Sequence, residues 1–187
     1  GNWGNDLTLL VRACREAGAA TRFYTFYGNG LGAPQAIGEA GVGRVYAVAE
    51  WHPNAGLPQG EAIMNAFRAG LVNARDDYFN MRHVVMLAML GAAITAAGTA
   101  QAQPLAQALE GREYAGPPYA VRMRASDHQL LTPLYVSVMA PASATGAGST
   151  DSVRYDIEGS GFGFRTVLQL PAEANAYADH CRMNRPA

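Results

Sequence analysis

The chain has 187 residues, 49% of them hydrophobic, which is enough to bury the core of one ordinary domain. Its formal charge of −1 gives no electrostatic footprint for a phosphate backbone or an anionic membrane, so no nucleic-acid partner is expected. There is no charge run or repeat of usable period, and the longest uncharged stretch, residues 84–109, is broken by Gly91, Thr95, Gly98, Gln101 and Pro104 too often to span a membrane.

Asn5 or Asp6 caps a first helix whose apolar residues Leu7, Leu10, Val11 and Cys14 recur at helical spacing, and Gly18 stands where a left-handed residue ends it. Residues 22–26 form a short β-rich run. The turn Gly28-Asn-Gly-Leu-Gly32 follows, and Pro34 opens a short helix that gives out by Gly41. Residues 44–50 read as the next strand, and strands alternating with helices argue for a parallel α/β sheet. Residues 51–58 read as a connector. Helical patterns then occupy residues 61–71, 77–97 and 105–110, with Asp76 and Asp77 capping the long apolar helix. Pro117-Pro118 ends the helical block. Residues 119–124 and 134–139 are strand candidates on either side of a polar turn at Ser126, Asp127 and His128. Residues 141–152 are flexible in composition, and residues 153–157 and 164–170 make a closing hairpin. The opening Gly1-Asn-Trp3 is loop-like and feeds straight into a helix, where an α/β sheet would place a preceding strand. The chain therefore reads as an incomplete fragment, and the apolar face of residues 59–126 is expected to lack a partner within it.

The run Gly28-Asn-Gly-Leu-Gly-Ala33 fits the dinucleotide pattern G-x-G-x-x-A, and Glu50 lies about twenty residues on, where a ribose-binding acid would stand. Only about two helical turns follow the loop, whereas a pyrophosphate site needs a full helix N-terminus. A glycine loop that lets a ligand or a backbone approach closely is the stronger reading, with a nucleotide-binding enzyme domain using residues 28–33 as an alternative. The pattern G-x-S-x-G is absent around Ser160 because glycine flanks it directly, so a bulged hairpin turn is expected there. His52, His83, His128 and His180 have no metal-ligand spacing, and Cys14 and Cys181 allow one disulfide but no cluster. Arg122 and Arg124 share a solvated strand face. No set of residues makes a nucleophile, base and oxyanion hole. Hence no catalytic residue, metal or cofactor is expected. What remains is aromatic and glycine-rich material at the carboxyl ends of strands, Asn2 with Trp3 and Tyr27 with Gly28, where open α/β sheets bind small ligands.

Several runs together carry a resemblance. They are Gly1-Asn-Trp-Gly-Asn-Asp-Leu-Thr-Leu-Leu10, Phe23-Tyr-Thr-Phe-Tyr-Gly28, Ala36-Ile-Gly-Glu-Ala-Gly-Val-Gly43 and Glu50-Trp-His-Pro53. Asp77-Tyr-Phe-Asn-Met-Arg82, Ala108-Leu-Glu-Gly111, Asp127-His-Gln-Leu-Leu131 and Cys181-Arg-Met-Asn-Arg-Pro186 continue the series. In order and spacing the chain resembles the second half of the Leu/Ile/Val-binding type I periplasmic solute-binding proteins of ABC importers.

The resemblance implies two α/β lobes of doubly wound parallel sheets, joined by crossovers and closing on a ligand. Residues 1–50 would belong to the C-terminal lobe, 51–58 to a crossover and 59–126 to the N-terminal lobe, with 127–187 returning to the C-terminal lobe and tail. It further implies removal of a signal peptide, a periplasmic location, a membrane permease as partner and an N-terminal half outside this sequence. Trp3 falls where amino-acid binders place an aromatic against the ligand. Tyr27 falls where they place the acid that receives the ligand's ammonium. A phenol accepts a hydrogen bond but carries no negative charge, so the ligand class widens from branched-chain amino acids to aromatic or other non-amino acids. Export favours a Cys14–Cys181 disulfide. The alternative pairs Cys181 with a cysteine outside the sequence and leaves Cys14 as a small buried hydrophobe.

Overall fold

A computed structural model describes residues 4–26, 28–30, 32–143 and 153–181. In chain order the elements begin with α1 (Asn5–Glu16), β1 (Phe23–Thr25), α2 (Ala33–Ile37), β2 (Val45–Ala49) and α3 (Pro58–Arg68). They continue with α4 (Met81–Ala97), α5 (Ala102–Leu109), β3 (Glu113–Tyr114), β4 (Val121–Met123), β5 (Leu130–Leu131), β6 (Leu134–Pro141) and β7 (Phe162–Leu170). The chain divides into two units, residues 1–79 with 135–169, and residues 80–134 with 170–187.

The first unit is built on a four-stranded sheet of order β1-β2-β6-β7. β1 runs parallel to β2, with Phe23 opposite Val45 and Tyr24 opposite Tyr46. Side chains alternate across a strand, so this register decides which residues enter the core. Phe23, Val45 and Ala47 pack with Leu7 and Val11 of α1, Ile37 of α2, Met139 of β6 and Phe164 of β7. Tyr24 and Tyr46 stack on each other instead, ring centroids 4.7 Å apart. The expected parallel pairing holds for β1 and β2, whereas β6 joins β2 antiparallel, with Ala47 opposite Ser137. An antiparallel strand added to parallel ones is common in such sheets.

Helix α1 ends as Gly18 foretells. Gly18 has φ 69°, its N–H donates to Arg15 O at 3.0 Å, and Ala19 N–H donates to Cys14 O at 2.9 Å. Those two bonds are the Schellman arrangement, which satisfies the last helical carbonyls. At the other end Gly4, rather than Asn5 or Asp6, precedes the first helical residue. The expected hairpin of residues 153–157 with 164–170 does not form, because β7 pairs with β6. Residues 153–157 are claimed from elsewhere. The Asn54 amide donates to Tyr155 O at 2.8 Å and accepts from Tyr155 N at 2.9 Å. Gly163 lies so close to this segment that a Cβ there would stand 2.2 Å from Tyr155 O.

In the second unit, α4 starts later than the sequence suggests. Asn80 caps it, its side chain accepting from Arg82 N at 3.1 Å, while Asp77 is held by Arg68 at 2.7 Å in the first unit. Gly98 ends the helix with φ 64°. Residues Met81, Val85, Met89 and Ala93, four apart, are buried, but Met86, Leu87, Leu90 and Ile94 are exposed, Leu87 by 65%. Among the described residues no single helix is long and apolar enough to cross a membrane, and α4 and α5 meet at a 109° bend. β3, β4 and β5 form a small separate sheet, so the polar turn at residues 126–128 joins β4 to β5 rather than to β6. Arg124 is not solvated as expected. Its guanidinium binds the Asp127 carboxylate, Gln129 Oε1 at 2.6 Å and Tyr177 O at 2.6 Å. Cys14 and Cys181 are both free thiols, so the expected bridge is absent. Cys14 instead packs, partly buried, against the first unit's core.

Candidate ligand-binding site

Of the four expected ligand residues, Asn2, Trp3 and Tyr27 lie outside the described residues and Gly28 lies among them. The Gly28 N–H donates to Thr25 Oγ1 at 2.8 Å, and the Thr25 hydroxyl donates to Tyr46 O at 3.3 Å. This tucks the turn under the carboxyl end of β1. A Cβ on residue 28 would stand 2.5 Å from Thr25 Oγ1 and 2.9 Å from Val45 Cγ1, so only glycine fits. The close approach anticipated for the loop is therefore an approach of its own backbone to two strands.

The other end of the loop is fixed by a residue the sequence reading passed over. Gly32, with φ 75°, donates its N–H to Glu158 Oε2 at 2.6 Å, and Ala33 N donates to Gly30 O at 3.1 Å. Glu158 is only 7% exposed and has φ 55°, which a side chain other than glycine rarely adopts. It shares the turn closed by Ser160 N to Ile157 O at 2.9 Å with Gly159, φ 68°. The usable signal was a glutamate just before Gly-Ser-Gly, in a turn that favours asparagine, aspartate or glycine. Within the same turn the Ser160 hydroxyl donates to Phe162 O and accepts from Phe162 N, both at 3.1 Å, so it is a turn residue.

The same contacts weigh against the dinucleotide reading of residues 28–33. A phosphate would need the amides that Thr25, Glu158 and Gly30 already occupy, and α2 is five residues long.

Just past β2, two aromatic residues turn inward. Trp51 packs edge-on to Phe79 at 5.7 Å, and Phe79 packs on Phe67 at 5.3 Å. His52 is 1% exposed, lies edge-on to Tyr135 at 5.8 Å, and its Nε2 is 2.8 Å from Thr166 Oγ1 on β7. Its Nδ1 is buried without a partner. Burial alone pushes the imidazole down to about 4, so it is neutral at ordinary pH. His52 is thus a packing residue, and His128 lies 3.2 Å from Glu110. Among the described residues no group of three or more His, Cys, Asp or Glu could hold a metal.

A mixed α/β chain in two units, with a glycine loop at the carboxyl end of β1 whose Gly28 and Gly32 amides the protein itself engages, has the periplasmic-binding-protein type of fold. The chain belongs to the periplasmic binding protein family, whose family model matches residues 1–146. Among curated proteins it is 28% identical over 199 residues to Leu/Ile/Val-binding protein homolog 4 of Brucella abortus, matching all of this chain and 43% of that protein. The chain therefore spans less than half the length of that relative. Among solved structures it resembles the closed leucine-, isoleucine-, valine-, threonine- and alanine-binding protein of Brucella ovis. The TM-score is 0.75 at 26% identity, covering all of this chain and 46% of the other. A solute-binding protein of an ABC transporter from Rhodopseudomonas palustris HaA2, solved with p-hydroxybenzoic acid, shares the fold. There the TM-score is 0.62 at 15% identity, covering 90% of this chain and 42% of the other.

Proposed function

We propose that the chain is part of the extracytoplasmic solute-binding component of an ABC importer, working in the periplasm without catalysis and capturing branched-chain amino acids or related small carboxylates. The observation that carries this reading is the likeness to the Brucella Leu/Ile/Val-binding relatives over the whole of this chain. The strand-end position of the glycine loop supports it, since small ligands bind at that edge of open α/β sheets. Asn2, Trp3, Tyr27 and Gly28 are the proposed ligand-binding residues. Residues 1–50 and 127–187 are assigned to the C-terminal lobe, 51–58 to a crossover and 59–126 to the N-terminal lobe. The exposed face of α4 is assigned to contact with the N-terminal half of the same protein, and an inner-membrane permease is the partner in transport.

One feature favours a second ligand class. Tyr27 stands where the resemblance places an ammonium-binding acid, and a charge-assisted hydrogen bond to an ammonium is worth roughly 1.5–3 kcal/mol, about ten- to a hundredfold in affinity. By residue type an indole and a phenol would supply apolar surface and one hydroxyl, which suits an aromatic or other non-amino acid. Calorimetric titration of the full-length protein with L-leucine and with 4-hydroxybenzoate separates the classes. Binding of either carboxylate is expected. Binding of neither, together with stabilisation by a nucleotide, contradicts the proposal.

A further inference from the structure

We infer that Glu158 is a positioning residue for the candidate ligand site: its buried carboxylate holds the Gly32 amide and so sets the loop that follows Tyr27 and Gly28. The inference rests on the proposed ligand-binding role of those two residues. Four observations meet at this carboxylate. It crosses 126 positions of sequence to make a 2.6 Å bond to a backbone amide. Glu158 is 7% exposed and the bond is partly buried, where a charged acceptor on an N–H is stronger than in open water.

The backbone beneath it is in a left-handed conformation, φ 55°, that the neighbouring glycines 159 and 161 adopt freely and a glutamate does not. The turn needs no glutamate for its own sake. Asp156 Oδ2 accepts from Gly161 N at 3.0 Å and Ser160 bonds Phe162 twice, which already closes it. What the glutamate adds is the tie to Gly32. With Thr25 holding Gly28 N, both ends of the glycine loop are then fixed, one from β1 and one from the turn before β7. A loop fixed in advance loses less freedom on binding, and that saving appears as affinity.

The variant Glu158→Gly separates this role from a merely structural one, because glycine relieves the positive φ while removing the tie. In the full-length protein, Glu158→Gly and Glu158→Gln are titrated with L-leucine and 4-hydroxybenzoate beside wild type and Tyr27→Ala. Amide exchange at Gly32 is followed without ligand. Glu158→Gly is expected to melt no lower than wild type, to bind about tenfold more weakly and to exchange Gly32 about tenfold faster. Glu158→Gln, which keeps a neutral acceptor, is expected to fall between. Unchanged affinity in Glu158→Gly with a lowered melting temperature, or unchanged exchange at Gly32, overturns the inference. If Tyr27→Ala leaves both affinities intact, or neither acid binds wild type, the ligand-site reading fails instead, and Glu158 is judged by the Gly32 exchange alone.

Discussion

The glycine loop of residues 28–32 and helix α4 are both poor in charge, yet they are held in opposite ways. In the loop and the residue after it, the amides of Gly28, Gly32 and Ala33 are taken by Thr25, Glu158 and Gly30, and a single added methyl group at position 28 has no room. α4 is capped at both ends and buries one stripe, but Met86, Leu87, Leu90 and Ile94 face outward. The loop is over-determined by local contacts, so changing it should register in folding and ligand affinity. The outer face of α4 contributes little to folding among the described residues, so changing it should register in association. An exposed apolar face on a helix is an interface awaiting cover.

The largest effect should come from the core beneath the loop. Phe164→Ala removes a fully buried ring from the core cluster that residues of α1, α2, β1, β2 and β6 share. It is expected to cost about 3–5 kcal/mol in urea denaturation. Next comes acid. Burial holds His52 at about 4 against an ordinary 6.5. The folded state therefore keeps the ring neutral while the unfolded chain takes up a proton first. The stability tied to His52 is complete above pH 6.5 and is lost as the pH falls from 6.5 to about 4, by roughly 3 kcal/mol in total. In His52→Gln that slope between about pH 7 and about pH 4 should flatten; a slope equal to wild type would assign the acid sensitivity elsewhere.

Gly28→Ala forces a Cβ to within 2.5 Å of Thr25 Oγ1. Overpacking of this kind costs about 1–3 kcal/mol, and here the loss should be accompanied by weaker ligand binding. The smallest change in folding is expected on α4. Leu87→Gln with Leu90→Gln should alter the melting free energy by less than about 0.5 kcal/mol per site, while reducing self-association of this chain in sedimentation experiments. A large folding loss there would erase the contrast between the two regions.

The contrast also shows what the sequence carried. Gly18 and Gly32 announced their turns because positive φ belongs to glycine, and the short runs at residues 22–26 and 44–50 read as the strands that pair in parallel as β1 and β2. The apolar length of α4 was equally plain. Its start was misread because Asp76 and Asp77 are good caps by type, and nothing local reveals that Arg68, nine residues earlier, claims Asp77. The false hairpin arose in the same way, since the Asn54 amide competes for Tyr155 from 101 positions away. Glu158 stayed hidden for that reason too. Its carboxylate has meaning only once the fold brings it to Gly32.

The most direct test of the account is mass spectrometry of whatever small molecule co-purifies with the full-length protein, repeated for Tyr27→Ala. The account predicts a small monocarboxylic acid, aliphatic or aromatic, recovered at near-stoichiometric amount from wild type and depleted in the variant. Recovery of a nucleotide, or of an acid retained equally by Tyr27→Ala, would contradict it.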